Sequence, residues 1–433
     1  MSTSRLLRAM AFVVATVSAA TALMAGSGTA HAGVPSLGSK FLWGVSLSGF
    51  QAEGSSPDSN WMRYQRTTPD QIGNSSDFYH RYAEDIDHAS KLGVKVFRTS
   101  VEWARVEPRQ GYEDPAGWNF YDRVFKMVVD KGMRPMITLD HWVYPGWAYD
   151  RGGWKNPQME NWWLDNARRV VDRYAKYNPL WITINEPQMY SVFEAAEGTL
   201  GINGVPMFFD KLVKVHRSIY DYIHRVQPKA MVSSNVPYLP LAESALDAAF
   251  LDRVKDKLDF IGIDYYYSVA LNNWSIYNVA LRRQWNVSAA PDGVYYALRY
   301  YSRRFPRLPL YIVENGMSTD NLQPRADGVR RESSLRDTVY WLQRAKADGM
   351  NVIGYNYWSL IDNFEWGSYD ARYGLYSVNV KTDPTLTRRP TAAVAAYRDI
   401  TAHGGVPADY RPVYPPTFCS LVDAPSSCTE PVR

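Results

Sequence analysis

Two kinds of apolar pattern alternate along the chain. Short runs rich in Val, Ile, Leu and aromatic residues are separated by longer segments that mix apolar and polar positions at helical spacing. The runs read as buried strands and the longer segments as amphipathic helices. Strands are predicted over 41–47, 94–100, 134–139, 180–185, 230–234, 260–264, 309–313 and 352–357. Helices are predicted near 78–92, 118–131, 158–176, 208–226, 244–257, 292–304, 332–348 and 390–402. Eight strand units, each followed by a helix, predict an α/β fold made of one closed (β/α)8 barrel. An open doubly wound sheet would need a Gly-rich phosphate loop after an early strand, and the sequence has none there.

Two glutamates break the apolar pattern. Glu186 closes Trp181-Ile182-Thr183-Ile184-Asn185-Glu186, and Glu314 closes Leu310-Tyr311-Ile312-Val313-Glu314. On the strand count they end the fourth and seventh strands. A lone charge at the lip of a buried strand costs several kcal/mol unless it is paired. A structural ion pair explains one such carboxylate more readily than two at equivalent strand ends. Barrels of this kind build their active sites from the C-terminal ends of the strands. Two carboxylates there are what glycoside hydrolysis requires, a proton donor and a nucleophile or base. Gln51, Arg98, His141, Asn185, Asp264, Tyr266 and Trp358 fall at strand ends of the same mouth.

The first 32 residues read as an address. Arg5 and Arg8 precede an apolar stretch over Ala9–Met24, and Ala30-His31-Ala32 offers a small-x-small cleavage site. The stretch is short for a membrane anchor, and small residues follow it. The reading is a secreted protein starting at Gly33, with a barrel over 33–405 and a Pro-rich tail over 406–433. Losing the two arginines takes the formal charge from +4 to +2. That balance, without a Lys/Arg block, argues against nucleic acid or a membrane as partner. Aromatics reach 14%, which suits stacking on sugar faces as well as a core. Export and two cysteines only predict a Cys419–Cys428 disulfide, which would pin the tail. The seven histidines show no metal-binding spacing, so no metal or cofactor is expected.

At these residues the chain resembles glycoside hydrolase family 1, the retaining β-glucosidase and β-galactosidase family. The likeness runs from Phe41 to about Ile400. It rests on Phe41-Leu42-Trp43-Gly44 leading to Phe50-Gln51-Ala52-Glu53-Gly54, then Arg98-Thr99-Ser100-Val101-Glu102-Trp103-Ala104-Arg105. Thr138-Leu139-Asp140-His141-Trp142, Gly152-Gly153-Trp154, Asn185-Glu186-Pro187 and Glu314-Asn315-Gly316 follow in the family's order. Trp358-Ser359-Leu360-Ile361-Asp362-Asn363-Phe364-Glu365-Trp366 completes it. Any one motif is weakly specific; the ordered set is not. The start, Asp58-Ser59-Asn60-Trp61, is closer to the family's archaeal-type branch.

The resemblance implies Glu186 as acid/base and Glu314 as nucleophile, with Arg98 and Tyr266 supporting Glu314. It implies Gln51, His141, Trp142, Asn185, Glu365, Trp366 and Tyr373 as substrate-binding positions, with Trp358 as a stacking floor. An acid beside an anion and partly desolvated would have its pKa raised toward roughly 6–7. Glu365 is intact and no Lys follows it in Ser368-Tyr369-Asp370-Ala371-Arg372, unlike relatives acting on 6-phosphorylated sugars. Glu186 excludes the thioglucosidase branch. The implied activity is hydrolysis of an unphosphorylated small-molecule or oligosaccharide β-glycoside, with glucose, galactose or fucose as glycone. A transglycosidase would use the same residues, while an inactive sugar-binding relative would have lost a catalytic glutamate.

The chain departs from the family pattern in two ways. Asp264 replaces the usual Asn, so it must either be salt-bridged, with Arg98 the candidate, or hold a proton. The segments over 188–259 and after Trp366 are short, which predicts an open aglycone side indifferent to leaving-group size.

Overall fold

The computed structural model describes residues 33–270 and 274–432. The predicted leader over 1–32 lies outside them. The strands are β1 (Leu42–Ser46), β2 (Val96–Ser100), β3 (Arg134–Thr138), β4 (Leu180–Ile182), β5 (Met231–Ser233 continuing as Asn235–Pro237), β6 (Ile261–Asp264), β7 (Leu310–Asn315) and β8 (Val352–Trp358). All pair in parallel, and β1 pairs with both β2 and β8. The fifth strand hands over its pairing at Ser234. Its first half bonds to β4 and its second half to β6, which closes the ring. The predicted strand there ended at Ser234, one residue short of the second half.

Around the ring stand α1 (Phe78–Lys91), α2 (Pro115–Asp130), α3 (Met159–Tyr174), α4 (Val205–Val226), α5 (Glu243–Ala249), α6 (Gly293–Arg304), α7 (Arg331–Ala347) and α8 (Ala392–His403). Helix α2 starts three residues before its predicted start. Asp114 accepts from the Ala116 N–H there, and Pro115 needs no partner in the first turn. Helix α5 breaks at Phe250 and resumes as a short turn over Leu251–Val254.

Two apolar layers follow from strand alternation. The outer one joins sheet to helices. The inner one fills the barrel with Val96, Met136, Leu180, Ile182, Phe260, Tyr311 and Val313. Arg98 lies two residues beyond Val96 and so enters the interior above that plug. Glu314 reaches it differently. Simple alternation from Tyr311 and Val313 would send Glu314 outward beside Ile312, which belongs to the outer layer. The ladder prevents this by skipping Val313 on both sides. Ile312 and Glu314 pair with Ile263 and Asp264 of β6, and Ile312 and Asn315 with Tyr355 and Tyr357 of β8. A bulge of this kind re-aims the following side chain. The Val313 carbonyl left over accepts from the buried Ser46 hydroxyl at 2.9 Å.

The tail is fastened to the barrel. The Cys419–Cys428 disulfide is present. Asp337 of α7 accepts from the Val413 and Tyr414 N–H groups, and Arg299 of α6 pairs with Asp423 at 2.6 Å. Ser420 bridges to Ala270 in the loop after β6, so the tail braces a loop of the barrel mouth.

Ser46→Ala should strip the Val313 carbonyl of its partner and cost about 1–3 kcal/mol, read as a lower urea midpoint. Ser46→Thr keeps the hydroxyl and should recover most of that loss. An unchanged midpoint in Ser46→Ala would mean the bulge does not depend on this bond.

Candidate active site

Arg98 and Glu314 form a buried ion pair, Nη1 to Oε1. The other edge of the guanidinium donates to Asn185 Oδ1 at 2.7 Å, and its Nε donates to Thr138 Oγ1 at 3.0 Å. Tyr266 donates its hydroxyl to Glu314 Oε2 at 2.8 Å. Burial and the charge of Glu314 push the Tyr266 phenol well above its ordinary range, so it stays a donor. Each Glu314 oxygen thus receives one donor, and one of the two donors is a cation.

Glu186 lies four residues past the end of β4, not on the strand itself. It caps the short helix Pro187–Ala196 from a left-handed backbone, φ 37°. The ladder ends at Ile182, though Asn185 N–H still bonds to Asp140 O and Glu186 N–H to Asn235 O. The side chain is only partly open to the mouth. Its carboxyl is pushed well above the usual range, first by burial and then by the charge of Glu314, with Glu365 adding and Arg98 opposing. The two carboxyls are therefore unlike: Glu314 receives two donors, one of them a cation, while burial pushes the Glu186 carboxyl upward.

Asn235, at the start of the second half of β5, ties the cluster together. Its Nδ2 donates to Asn185 Oδ1 at 2.7 Å and also to Asp264 Oδ2. Two donors on Asn185 Oδ1 fix that amide, leaving its Nδ2 facing the other way. Sequence reasoning passed over Asn235, whose only signal was a polar residue just beyond a strand end. Among the described residues Asp264 makes no salt bridge to Arg98. The carboxyl is buried, its bond goes to neutral Asn235, and Oδ1 has no partner. Burial, then the charges of Glu314 and Glu186, push it well above the ordinary carboxylate range.

The opposite wall comes from the ends of β1 and β8. Glu365 accepts from Trp358 Nε1 at 2.8 Å and Gln51 Nε2 at 3.2 Å, and burial pushes its carboxyl up to about 8. The imidazole of His141 stacks on Trp358 with centroids 6.1 Å apart. Burial and Arg98 hold that imidazole neutral, and its Nδ1 has no hydrogen-bond partner. Trp142 donates to the Asn185 carbonyl at 2.6 Å and packs on Trp366, 5.2 Å away. Trp142 and Trp366 also take left-handed backbones, φ 67° and 51°. Non-glycine residues held there mark strain kept for a site. Tyr373 stands one layer back, edge-on to Tyr266 and hydrogen-bonded to Tyr267.

A third loop also borders the mouth. The loop after β6 leans over it. Arg282 donates to the Tyr64 hydroxyl at 3.1 Å, and Trp285 packs on the cluster of Trp358 and Tyr373. Tyr64 and Trp61, from the segment after β1, meet Phe193 of the helix behind Glu186 at 5.2 and 4.5 Å. The expectation weighed the loops over 188–259 and after Trp366 and left out this third one.

Comparisons with known proteins agree with the geometry. The chain is 25% identical over 427 residues to β-glucosidase A of Thermotoga maritima, covering 80% of this chain and 94% of that protein. It is 29% identical over 348 residues to galactolipid galactosyltransferase SFR2 of Arabidopsis thaliana, covering 71% of this chain and 55% of that protein. The fold superposes on the Thermotoga maritima β-glucosidase in complex with castanospermine with a TM-score of 0.74 at 23% identity, covering 86% of this chain and 99% of that one. Residues 35–227 and 241–406 match the sequence profile of glycosyl hydrolase family 1. The chain belongs to that family and is an O-glycoside hydrolase of the retaining, β-glucosidase-like kind.

Proposed function

We propose that this enzyme is exported and hydrolyses unphosphorylated β-D-glucosides, with Glu314 as nucleophile and Glu186 as acid/base. The observation that carries the assignment is the asymmetry of the two carboxyls. Glu314, held by Arg98 and Tyr266, attacks the anomeric carbon while Glu186 gives its proton to the departing glycosidic oxygen. The C–O bond to the aglycone breaks as the ester to Glu314 forms. Glu186, now an anion, takes a proton from water, and the oxygen of that water displaces Glu314 from the same carbon. Two inversions give net retention.

The remaining side chains would bind the glycone. The fixed Asn185 amide offers Nδ2 to the 2-hydroxyl, a contact that strengthens as positive charge develops at the ring. Gln51 and Glu365 supply a donor and an acceptor side by side, and His141 Nδ1 gains a hydroxyl partner. A phosphate on the sugar would be a second anion in a desolvated site that already holds Glu314. Export is supported by the leader sequence and by the tail disulfide, a bond kept in oxidising compartments. The match to a galactosyltransferase favours a second reading, in which an acceptor hydroxyl replaces water in the second step.

Glu314→Ala should abolish turnover, and azide should restore cleavage of activated aryl β-glucosides with inverted product, because the small anion occupies the emptied space. Rescue with retained product would contradict the assignment. Asp264→Asn replaces one neutral group by another, so the acidic limb of kcat/KM should not move. Stability should respond differently. The folded pKa of Asp264 lies above its unfolded value near 3.9, so its contribution is complete below that pH and is lost as pH rises through the folded pKa. The variant's denaturant midpoint should match wild type near pH 4 and exceed it increasingly at higher pH. A gap that stays flat above pH 4 would mean Asp264 is ionised in the fold.

A further inference from the structure

The wall formed by Gln51 and Glu365 ends in a turn that its own sequence does not favour. Glu365 N–H bonds to Ser368 O at 2.9 Å and Ser368 N–H to Glu365 O at 3.0 Å, so Trp366 and Gly367 form a two-residue hairpin loop. Both central residues take positive φ, 51° and 88°. That kind of turn suits Asn-Gly or Gly-Gly, and a bulky indole at its first central position is an outlier. Such a backbone persists only where its surroundings over-determine it. Two site residues depend on the outcome. Glu365 meets Gln51 and Trp358, and Trp366 packs on Trp142.

The surroundings come from one short segment between β1 and α1. Asp70 grips the turn at three points. Its N–H donates to Gly367 O at 3.1 Å, and its Oδ2 accepts from the Ser368 hydroxyl at 3.0 Å and the Tyr369 N–H at 2.9 Å. Lys381 Nζ reaches the same Oδ2 at 2.8 Å and Asp370 Oδ1 at 2.9 Å, which ties the carboxylate to the far side of the turn. Thr68 backs the loop. Its hydroxyl donates to Asp70 O at 2.8 Å, and a Cβ on Gly367 would run into its methyl. Tyr369 closes the contact by donating to Ile72 O at 2.5 Å. The contacts of Asp70 with the turn go to backbone and to the Ser368 hydroxyl, so it acts on Glu365 and Trp366 through the chain.

We infer that Asp70 is a positioning residue for sugar recognition: by pinning Gly367, Ser368 and Tyr369 it holds Glu365 and Trp366 where the hydroxyls remote from the anomeric carbon bind. The inference rests on the glucosidase reading above. In a pyranose the 4-carbon stands across the ring from the anomeric carbon. A sugar with its anomeric carbon at Glu314 and its 2-hydroxyl at Asn185 therefore turns its 4-hydroxyl toward the opposite wall, which Gln51 and Glu365 form. Asp70 thereby bears on which sugar is accepted, while the two glutamates of the mouth carry bond cleavage.

The test compares an activated aryl β-D-glucoside with its 4-deoxy analogue. The wild type should favour the glucoside by at least about a hundredfold in kcat/KM, since a site built to hydrogen-bond a hydroxyl rejects the analogue that lacks it. Asp70→Ala should cut that preference by about tenfold or more, losing kcat/KM on the glucoside and little on the analogue. Asp70→Asn keeps an oxygen for Ser368 and Tyr369 and should retain most of the preference. A purely structural role would lower both substrates together. Equal losses on the two substrates overturn the inference, as does a full preference kept in Asp70→Ala, a loss in Asp70→Asn as large as in Asp70→Ala, or a wild type without preference. Should Asp70→Ala fail to fold, Ser368→Ala decides. It removes one donor from the turn and should lower the preference about threefold or more, and an unchanged ratio overturns the inference. An overturning result beside intact azide rescue of Glu314→Ala would remove this inference alone. Failure of the rescue would remove the underlying reading.

Discussion

The site depends on one buried cation. Arg98 is fully enclosed on β2, and an unpaired guanidinium there would be prohibitively costly. It is tolerated because its donors reach Glu314 on β7, Thr138 on β3 and Asn185 in the segment after β4. That arrangement does several things at once. It gives Glu314 a counter-ion, it turns the Asn185 amide, and it helps keep His141 neutral. Removing the guanidinium would leave Glu314 as a buried anion with Tyr266 as its remaining donor. A broken buried pair is far more damaging than an absent one.

Around that cation the site carries more carboxyl groups than charges. Glu186, Asp264 and Glu365 are all pushed upward, and burial is the first cause in each. The charge of Glu314 adds to burial in all three. This is how a proton donor and an anion coexist at neutral pH. It also makes Asp264 compatible with catalysis. A neutral carboxyl bonded to Asn235 stands in for the amide usual in the family and adds no field of its own.

Much of this was legible in the sequence, and for physical reasons. The barrel followed from eight alternations of buried strand and amphipathic helix. The site followed from polar residues at strand ends, where packing does not ask for them. What was hidden lay where local rules break. Glu314 stands on the wrong side of β7 by simple alternation, and a bulge paired to Ser46 turns it inward; no residue pattern announces that skip. Glu186 read as the end of a strand because its run is apolar, yet the strand stops at Ile182 and Glu186 heads the next helix. The bridging role of Asn235 depends on the break at Ser234. Loop length alone also gave no sign that the loop after β6 meets the segment after β1 through Arg282 and Tyr64.

The central claim is that the charge on Glu314 adds to burial in raising the Glu186 pKa. It is tested most directly by titrating the Glu186 carboxyl spectroscopically in two states of one protein. The first is the free enzyme, and the second is the enzyme with Glu314 captured as an ester by a slow-turnover 2-fluoro glycoside. Esterification removes the anion while leaving Glu186 and most of its burial in place. The account predicts that the Glu186 pKa falls by about one unit or more on capture. An unchanged pKa would mean that burial alone holds the proton and would contradict the coupling of the two glutamates.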